Sequence, residues 1–384
     1  MQQSGRFVSG SRVVAGLCFA SMTLAMIAGC SPQYSTAQGL TATQASAATP
    51  SPTPSPKKKP SMPGDLKANE LGRVPILMYH SVGEYNTKYD KHGLNITPAT
   101  FRKHMELLHK DGFYPVNMRD VVEGTLDVPA GKTPVVLTFD DARGSQFRYR
   151  ADGSIDPDCV IGILEECHRK WGDDWQRKAV FYVLPASKYN PTPFWQAGKS
   201  EEKIRFLADN GYEVANHSTS HRPLNRLSEK DLKWEVTFAQ EYFKKISPKV
   251  TMDTMAVPYG IYPKTKAGRQ LLLDNGNKCV LMAWGGASYA PDDKRFDRGA
   301  VLRIGNDPGE IERWIAGLVK ARRQKFEGMR TYISDGDPST LTVPQSMAKY
   351  LAKPTGPEII VYNDLPPAKP KTEIKAAKKP ITSG

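Results

Sequence analysis

The sequence predicts an α/β protein whose strands run parallel in a barrel or an open sheet. Short apolar segments alternate along the chain with segments that carry apolar residues at helical spacing. Polar side chains directly follow several of the apolar segments, and the carboxyl ends of parallel strands are where such folds place their functional sites. The chain has 384 residues, which is enough for one large domain of this class or two smaller ones.

The first 30 residues have the features of a bacterial lipoprotein signal. Two arginines precede an apolar run over residues 13–28, which is too short for a membrane-spanning helix. Gly29 and Cys30 follow, and small residues before a cysteine at this place are typical of an acylated cysteine; an ordinary secretory signal with a chance cysteine is the alternative. We expect a lipid anchor on Cys30 and an extracytoplasmic, membrane-anchored protein of the cell envelope.

Two further segments have compositions that do not support a packed core. Residues 31–70 are rich in Ser, Thr, Ala and Pro, and residues 366–384 are rich in Lys, Pro and Ala, so we expect a disordered linker and a disordered tail. The folded domain is therefore predicted to span residues 71–365. The formal net charge is +13, which suits nucleic acid, an anionic membrane or an anionic wall polymer. The sequence has no nucleic-acid-binding signature, so we expect no nucleic-acid partner.

Strands and helices alternate through this domain. The predicted strands cover residues 74–82, 113–116, 134–140, 179–184, 212–216, 255–257, 279–284 and 301–304, with 358–362 as a candidate for a last strand. The predicted helices cover residues 98–111, 118–122, 157–171, 204–210, 229–246, 265–275 and 310–324. Thr97, Asp156 and Ser228 are the expected N-caps of three of them, because their side chains accept a backbone N–H at a helix start.

The cysteines do not predict a disulfide framework. Cys159, Cys167 and Cys279 remain after the signal and Cys30 are set aside. The first two are separated by roughly 12 Å on a helix, which is too far for a disulfide. No closely spaced cysteine pair is present, so cysteine-ligated zinc is also excluded.

Two adjacent carboxylates end the strand at residues 134–140. Asp140 and Asp141 repel each other and lose solvation at the end of an apolar strand, so a metal ion near one and a proton-transfer role for the other would account for them. A solvated turn is the alternative, because Asp is common in turns. Both side chains reach one site only if the chain bends at the strand end, since adjacent residues of a strand point opposite ways.

Imidazole ligands follow another predicted strand. His217 and His221 are separated by three small residues, Ser-Thr-Ser, and neutral imidazoles are common zinc ligands. A structural or simply exposed pair is the alternative. Together with Asp141 they make the two-His, one-carboxylate set of a catalytic metal with open positions, and Asp140 would then be a general base beside the metal-bound water.

These motifs carry a resemblance to a known family. Thr138-Phe139-Asp140-Asp141, then His217-Ser218-Thr219-Ser220-His221, then Pro258-Tyr259-Gly260 resemble the motifs of the polysaccharide deacetylases, the NodB-homology domains of carbohydrate esterase family 4. Residues 74–82, which end in Met78-Tyr79-His80-Ser81-Val82, look like the branch with poly-N-acetylglucosamine deacetylases. The resemblance spans roughly residues 73 to 305.

The resemblance implies a distorted (β/α)7-type barrel and metal-dependent hydrolysis of acetyl groups on a polysaccharide. It implies that Asp141, His217 and His221 hold a divalent metal, usually zinc, and that Asp140 is the catalytic base. The backbone N–H of Tyr259 would help to stabilise the oxyanion.

The sequence departs from the family pattern at three places. Ala142 replaces a common glycine, and the arginine that usually pairs with the base is missing before Pro258. No histidine follows His221, so the general acid would be His80, as in the biofilm branch. Arg303 and Arg143 are candidates to replace the missing arginine.

We therefore predict a deacetylase of N-acetylated cell-surface or cell-wall polysaccharide, such as poly-N-acetylglucosamine, a chitin-like polymer or peptidoglycan. An O-acetyl glycan esterase and a non-catalytic carbohydrate-binding lipoprotein are the alternatives. Trp284, at a predicted strand end, would either stack on a sugar ring or lie in the core or rim.

Overall fold

The computed structural model describes residue 62 and residues 66–83, 94–186, 192–305, 309–324, 330–352 and 356–364. The predicted signal segment with Cys30, most of the predicted linker and the predicted tail lie outside these ranges. In the described part of the chain, no helix combines the length and the hydropathy needed to cross a membrane.

Parallel strands form the barrel that the sequence predicts. They are β1 (Ile76–Tyr79), β2 (Thr133–Asp140), β3 (Val180–Val183), β4 (Glu213–Asn216), β5 (Thr254–Ala256), β6 (Cys279–Gly285) and β7 (Val301–Arg303). Each pairs with the next in chain order. After β7, Ile304 donates to Ile76 O (2.8 Å) and accepts from Met78 N (2.9 Å) on β1. The sheet is therefore nearly closed as a seven-stranded barrel.

The alternation of side chains along β2 sets the position of the first aspartate. Every residue of β2 is buried, as expected of a strand covered on both faces. Leu137 and Phe139 pack in the cluster that the helices cover, whereas Val136 packs in the cluster inside the barrel. Thr138 and Asp140 share the face of Val136 because side chains alternate. Asp140 is therefore directed into the carboxyl-end mouth of the barrel.

The helices lie where helical spacing predicts them, with differences at their ends. They are α1 (Pro98–Lys110), α2 (Met118–Glu123), α3 (Val160–Trp171), α4 (Ser200–Asp209), α5 (Glu229–Lys244), α6 (Lys266–Asp274) and α7 (Glu310–Gln324). The caps predicted for α1 and α5 are present. Thr97 Oγ1 accepts from Thr100 N (3.0 Å), and Ser228 Oγ accepts from Asp231 N (3.2 Å).

The predicted start of α3 is wrong. The helix begins at Val160 with Cys159 as its N-cap, not at Pro157 with Asp156 as the cap. The carboxylate of Asp156 instead accepts from Arg148 Nε (2.6 Å) and from a backbone amide two residues on (3.0 Å). The aspartate therefore closes a turn before the helix, which begins only after that turn.

The C-terminal part of the described chain adds a separate pair of strands. The candidate last strand, Glu358–Tyr362, is present but pairs in parallel with Thr340–Pro344, outside the barrel. Sequence reasoning did not predict Thr340–Pro344, although threonine and apolar residues alternate along it with the period of a strand. Two more short pairings flank the barrel: Phe113–Pro115 with the start of β2, and Ser81–Val82 with Asn95–Ile96.

The first residue of β4 makes stability depend on pH. Burial raises the pKa of Glu213 from 4.5 to about 7, although hydrogen bonds from Thr254 Oγ1 and Arg119 N oppose the rise. A carboxyl with a raised pKa in the folded state binds more protons folded than unfolded between these two values, so the free energy of unfolding falls as pH rises through that window.

We expect Glu213→Gln to remove this dependence, because the neutral amide accepts from Arg119 N and donates to Thr254 Oγ1. Urea unfolding at pH 5 and pH 8 should show the wild type losing roughly 2–3 kcal/mol more than the variant over this range. The matched control is Glu201→Gln on the exposed face of α4, which should follow the wild type. Equal losses in wild type and Glu213→Gln would contradict the expectation.

Candidate active site

Three side chains from two strand ends meet at the mouth of the barrel. Asp141 follows β2, and His217 and His221 lie in the loop that follows β4. One ligand atom from each lies within 4.8 Å of the others. Asp141 Oδ1 is 3.2 Å from His217 Nε2 and 3.1 Å from His221 Nε2. The structure therefore brings together the three residues that the sequence predicts as metal ligands.

The hydrogen bonds of His217 show that the cluster of three side chains is suited to bind a cation. Its Nδ1 lies 2.9 Å from the carbonyl oxygen of Ala256, which can only accept, so Nδ1 carries a proton. In the neutral imidazole, Nε2 then directs a lone pair at a carboxylate oxygen of Asp141. Burial lowers the pKa of His217, but Asp140 and Asp141 outweigh it and the net direction is upward. The position between Nε2 and Oδ1 thus favours positive charge, either a proton or a metal ion.

The chain bends sharply after β2, as two functional aspartates require. Asp141 has φ 74° and Ala142 has φ 47°, both in the left-handed region. Residues with side chains adopt this region rarely, and such conformations occur often at functional sites. The bend takes Asp141 out of the strand alternation and places it at the mouth with Asp140. Ala142, at the place of a common family glycine, occupies a backbone conformation that suits glycine.

Arg143 holds the second oxygen of the predicted metal ligand. Its Nε and Nη2 donate to Asp141 Oδ2 at 2.9 and 2.8 Å, on the oxygen that does not face the two histidines. Burial raises the pKa of Asp141, but hydrogen bonds with the two histidines lower it more, to well below its usual range. Arg143 therefore contacts Asp141 and not Asp140.

Arg303, the other candidate, pairs with the predicted base. Its Nη1 and Nη2 donate to Asp140 Oδ1 (2.8 Å) and Oδ2 (2.9 Å), and the guanidinium is completely buried. Thr138 Oγ1 and Met282 O accept further hydrogen bonds from it. Burial raises the pKa of Asp140, but the Arg303 charge and His217 lower it more, so the net direction is downward. Asp140 is thus a buried carboxylate with a buried counter-ion.

His80 lies at the same mouth, directly after β1. Burial lowers its pKa, and the negative charges of Asp140 and Asp141 oppose that shift. Its buried Nδ1 has no hydrogen-bond partner among the described residues. Gln146 Nε2 donates to the carbonyl oxygens of His80 (2.7 Å) and Asp140 (2.6 Å), and it joins the two strand ends. Sequence reasoning did not identify Gln146, because a glutamine in a loop carries no distinctive pattern.

Exposed aromatic side chains surround this group. Tyr259, with φ 57°, places its ring edge-on to His221 at 4.4 Å between centroids. Trp284 is 55% exposed and packs so closely on Gly260 that an added Cβ would lie 2.6 Å from its ring. Trp195 is 53% exposed and lies against Gly144, beside Arg143. Trp284 is therefore a rim residue, and Trp195 is a second one that sequence reasoning missed.

We expect Asp141→Asn and His217→Ala each to abolish stoichiometric binding of a divalent metal, because each removes one of three ligands. Metal analysis after dialysis against zinc checks this, with circular dichroism to confirm folding. His109→Ala on α1, whose ring stacks on Trp171, is the matched control and should keep full occupancy. Full occupancy in either ligand variant would contradict the assignment.

Comparisons with known proteins find similarity to polysaccharide deacetylases. A family model described as "Polysaccharide deacetylase" matches residues 173–280. YxkH of Bacillus subtilis, named as a candidate polysaccharide deacetylase, is 24% identical over 213 residues, which cover 54% of this chain and 63% of the relative. A chitooligosaccharide deacetylase of Sinorhizobium fredii is 27% identical over 132 residues, which cover 34% of this chain and 49% of the relative. The chain thus spans less than two thirds of the length of either relative.

The Streptococcus pyogenes deacetylase PplD in complex with acetate aligns with a TM-score of 0.49 and 18% identity, over 63% of this chain and 98% of the other.

Proposed function

We propose that the protein belongs to the polysaccharide deacetylase family and is a metal-dependent hydrolase that removes N-acetyl groups from a cell-envelope polysaccharide. One observation carries the proposal: Asp141, His217 and His221 converge beside a second carboxylate, Asp140, whose charge Arg303 stabilises. This arrangement separates a ligand carboxylate from a base carboxylate.

Each side chain at the mouth of the barrel has a separate role in the proposed reaction. Asp141, His217 and His221 would hold a divalent metal, which we expect to be zinc and which would supply positive charge to the acetyl carbonyl and acidify a water. Asp140 takes the proton from the attacking water, because the two hydrogen bonds from Arg303 leave lone pairs on both of its oxygens. The N–H of Tyr259 donates to the carbonyl oxygen as negative charge develops there. His80 protonates the departing nitrogen, so acetate and a free amine leave.

The aromatic rim supports a polymeric sugar as the substrate. Trp195, Tyr259 and Trp284 expose about half of their side chains around the predicted metal ligands. Flat aromatic faces of this size bury much apolar surface when a sugar ring stacks on them. The Sinorhizobium relative is named for chitooligosaccharides, which are N-acetylated, and this supports N-acetylated sugars as the substrate class.

Acetate release from a panel of polymers tests the function. The panel contains chitin oligomers, poly-β-1,6-N-acetylglucosamine, peptidoglycan and acetylxylan, and new amines are quantified in parallel. Equal amounts of acetate and amine from an N-acetylated polymer are expected. Acetate without amine, from acetylxylan alone, would identify an O-acetyl esterase. Polymer binding without release of acetate would identify a carbohydrate-binding protein.

We also propose that the protein is held at the outer face of a membrane by lipid on Cys30. The support is the sequence: an apolar run that ends in Ala28, Gly29 and Cys30. Growth with an alkyne fatty acid should label the wild type and not Cys30→Ser. Labelling of both proteins would overturn this proposal.

A further inference from the structure

The loop that carries the two predicted histidine ligands rests on helix α5 through one buried carboxylate. Glu235 is completely buried. Its Oε2 accepts from the backbone N–H groups of Thr219 (3.0 Å) and Ser220 (2.9 Å), and its Oε1 accepts from Ser220 Oγ (2.5 Å). Thr219 and Ser220 lie between His217 and His221 in the sequence. All three of these hydrogen bonds therefore converge on the short segment that fixes the distance between the two imidazoles.

A second set of hydrogen bonds joins the same loop to the backbone of the helix. Thr219 Oγ1 donates to Glu235 O (2.9 Å) and accepts from Ala239 N (3.1 Å), the two backbone groups that a regular α-helix joins to each other. Asn216 at the start of the loop donates through Nδ2 to Val236 O (3.1 Å). The loop thus contacts consecutive turns of α5, and its position follows the position of the helix.

The backbone of the loop needs such support. Ser218 has φ 66° and His221 has φ 57°, both in the left-handed region that side chains disfavour. Such strained residues persist where the surrounding structure holds them. The hydrogen bonds to Glu235 are contacts that can hold this backbone in place.

We propose that Glu235 is a positioning residue of the metal site: its carboxylate holds residues 219 and 220 so that His217 and His221 face Asp141 before a metal ion binds. This inference rests on the metal site of the proposed function. The nearest cation to the Glu235 carboxylate among its ion pairs is Arg222, whose Nη1 lies 4.0 Å from Oε1. The accepted hydrogen bonds, rather than an ion pair, are therefore the main partners of this buried group.

Cobalt binding by metal-stripped full-length protein tests the inference without turnover. Co²⁺ absorption bands report both the dissociation constant and the ligand geometry. Glu235→Ala should bind Co²⁺ about 10- to 100-fold more weakly, which is the usual effect of removing a group that orients metal ligands. Glu235→Gln should restore binding, because its amide oxygen accepts from both backbone N–H groups and its amide nitrogen donates to Ser220 Oγ.

The matched control is Gln240→Ala, one to two turns further along α5. Gln240 is buried, but its amide donates to the carbonyls of Met252 and Asn275 and not to the loop. This variant should lose stability without a change in the Co²⁺ bands. If Glu235→Ala does not fold, Ser220→Ala replaces it, since it removes the contact to Oε1, and it should weaken Co²⁺ binding measurably.

The outcomes distinguish this inference from the proposed function. Wild-type affinity in a folded Glu235→Ala protein, or in Ser220→Ala where that replaces it, would overturn the role of Glu235 and leave the metal site standing. Equal weakening of Co²⁺ binding in Glu235→Ala and Gln240→Ala would show that Glu235 contributes only to the stability of the protein. This result would also overturn its positioning role. Weak Co²⁺ binding in Glu235→Gln would show that the negative charge of Glu235, and not its accepted hydrogen bonds, supports metal binding. This result would contradict the proposed positioning by hydrogen bonds. Absence of Co²⁺ binding in the wild type would overturn both proposals.

Discussion

Asp140→Asn is expected to lower kcat by about 10²- to 10⁴-fold while the metal content stays unchanged, because a general base is lost and no ligand is touched. The amide cannot accept a proton from water at neutral pH. Asp141, His217 and His221 keep the contacts that bring them within 4.8 Å of one another. Acetate release under saturating substrate, with metal analysis of the same preparation, measures both quantities.

Asp140 also contributes to stability through its pairing with Arg303, and the loss of this contribution must be distinguished from the loss of the base. The amide nitrogen of the asparagine would face Arg303, so some stability is lost, and circular dichroism with thermal unfolding must show a folded protein at the assay temperature. The matched variant is Asp141→Asn, which should lose metal and activity together. Turnover retained in Asp140→Asn would remove Asp140 from the role of base.

Arg303→Met is expected to destabilise the protein by about 3–5 kcal/mol at pH 7, because it leaves the buried carboxylate of Asp140 without its counter-ion. Urea unfolding measures the loss. Arg298→Met, at an exposed position near the start of β7, is the matched control and should change stability little. The double variant Asp140→Asn/Arg303→Met should be less destabilised than the sum of the single variants, because both partners of one pair are gone.

The same variant has a pH signature. Arg303 is the largest influence that lowers the pKa of Asp140, against burial, which raises it. In the wild type the lowered pKa adds stability above the unfolded value of 3.8, and this stability is lost as pH falls. In Arg303→Met the pKa rises, so the stability gap to the wild type widens as pH increases. The acidic limb of the kcat/KM profile should also move to higher pH, and an unshifted limb would contradict the pairing.

Local patterns predict much of this fold and the three side chains that meet at the mouth of the barrel. Thr97 and Ser228 are recognisable in the sequence as helix N-caps, because capping depends on a few neighbouring residues. Asp141 and His217 could be placed together because both follow buried strands of one parallel sheet, whose carboxyl ends share an edge. The bend after β2 was a requirement that followed from side-chain alternation alone, and the backbone of Asp141 has it.

Contacts between distant segments account for what the sequence did not predict. The sequence offers both Arg303 and Arg143 as partners of Asp140 and cannot choose between them, because the pairing with Arg303 depends on barrel closure across 163 residues. The contact of Glu235 with the histidine loop likewise depends on how α5 packs. Asp156 has the sequence features of a helix cap, but its carboxylate instead binds Arg148 in the preceding loop. Nothing in the local sequence indicates this contact.

Closure of the barrel and the charge state of Asp140 depend on neighbouring residues of one segment. The segment that closes the sheet onto β1, at Ile304, directly follows the arginine that neutralises Asp140. Detachment of β7 would therefore withdraw a positive charge from Asp140 and raise the pKa of this carboxylate. The strand that closes the barrel thus carries the charge that lowers the pKa of Asp140, so closure of the barrel and the ionised form of this carboxylate stabilise each other.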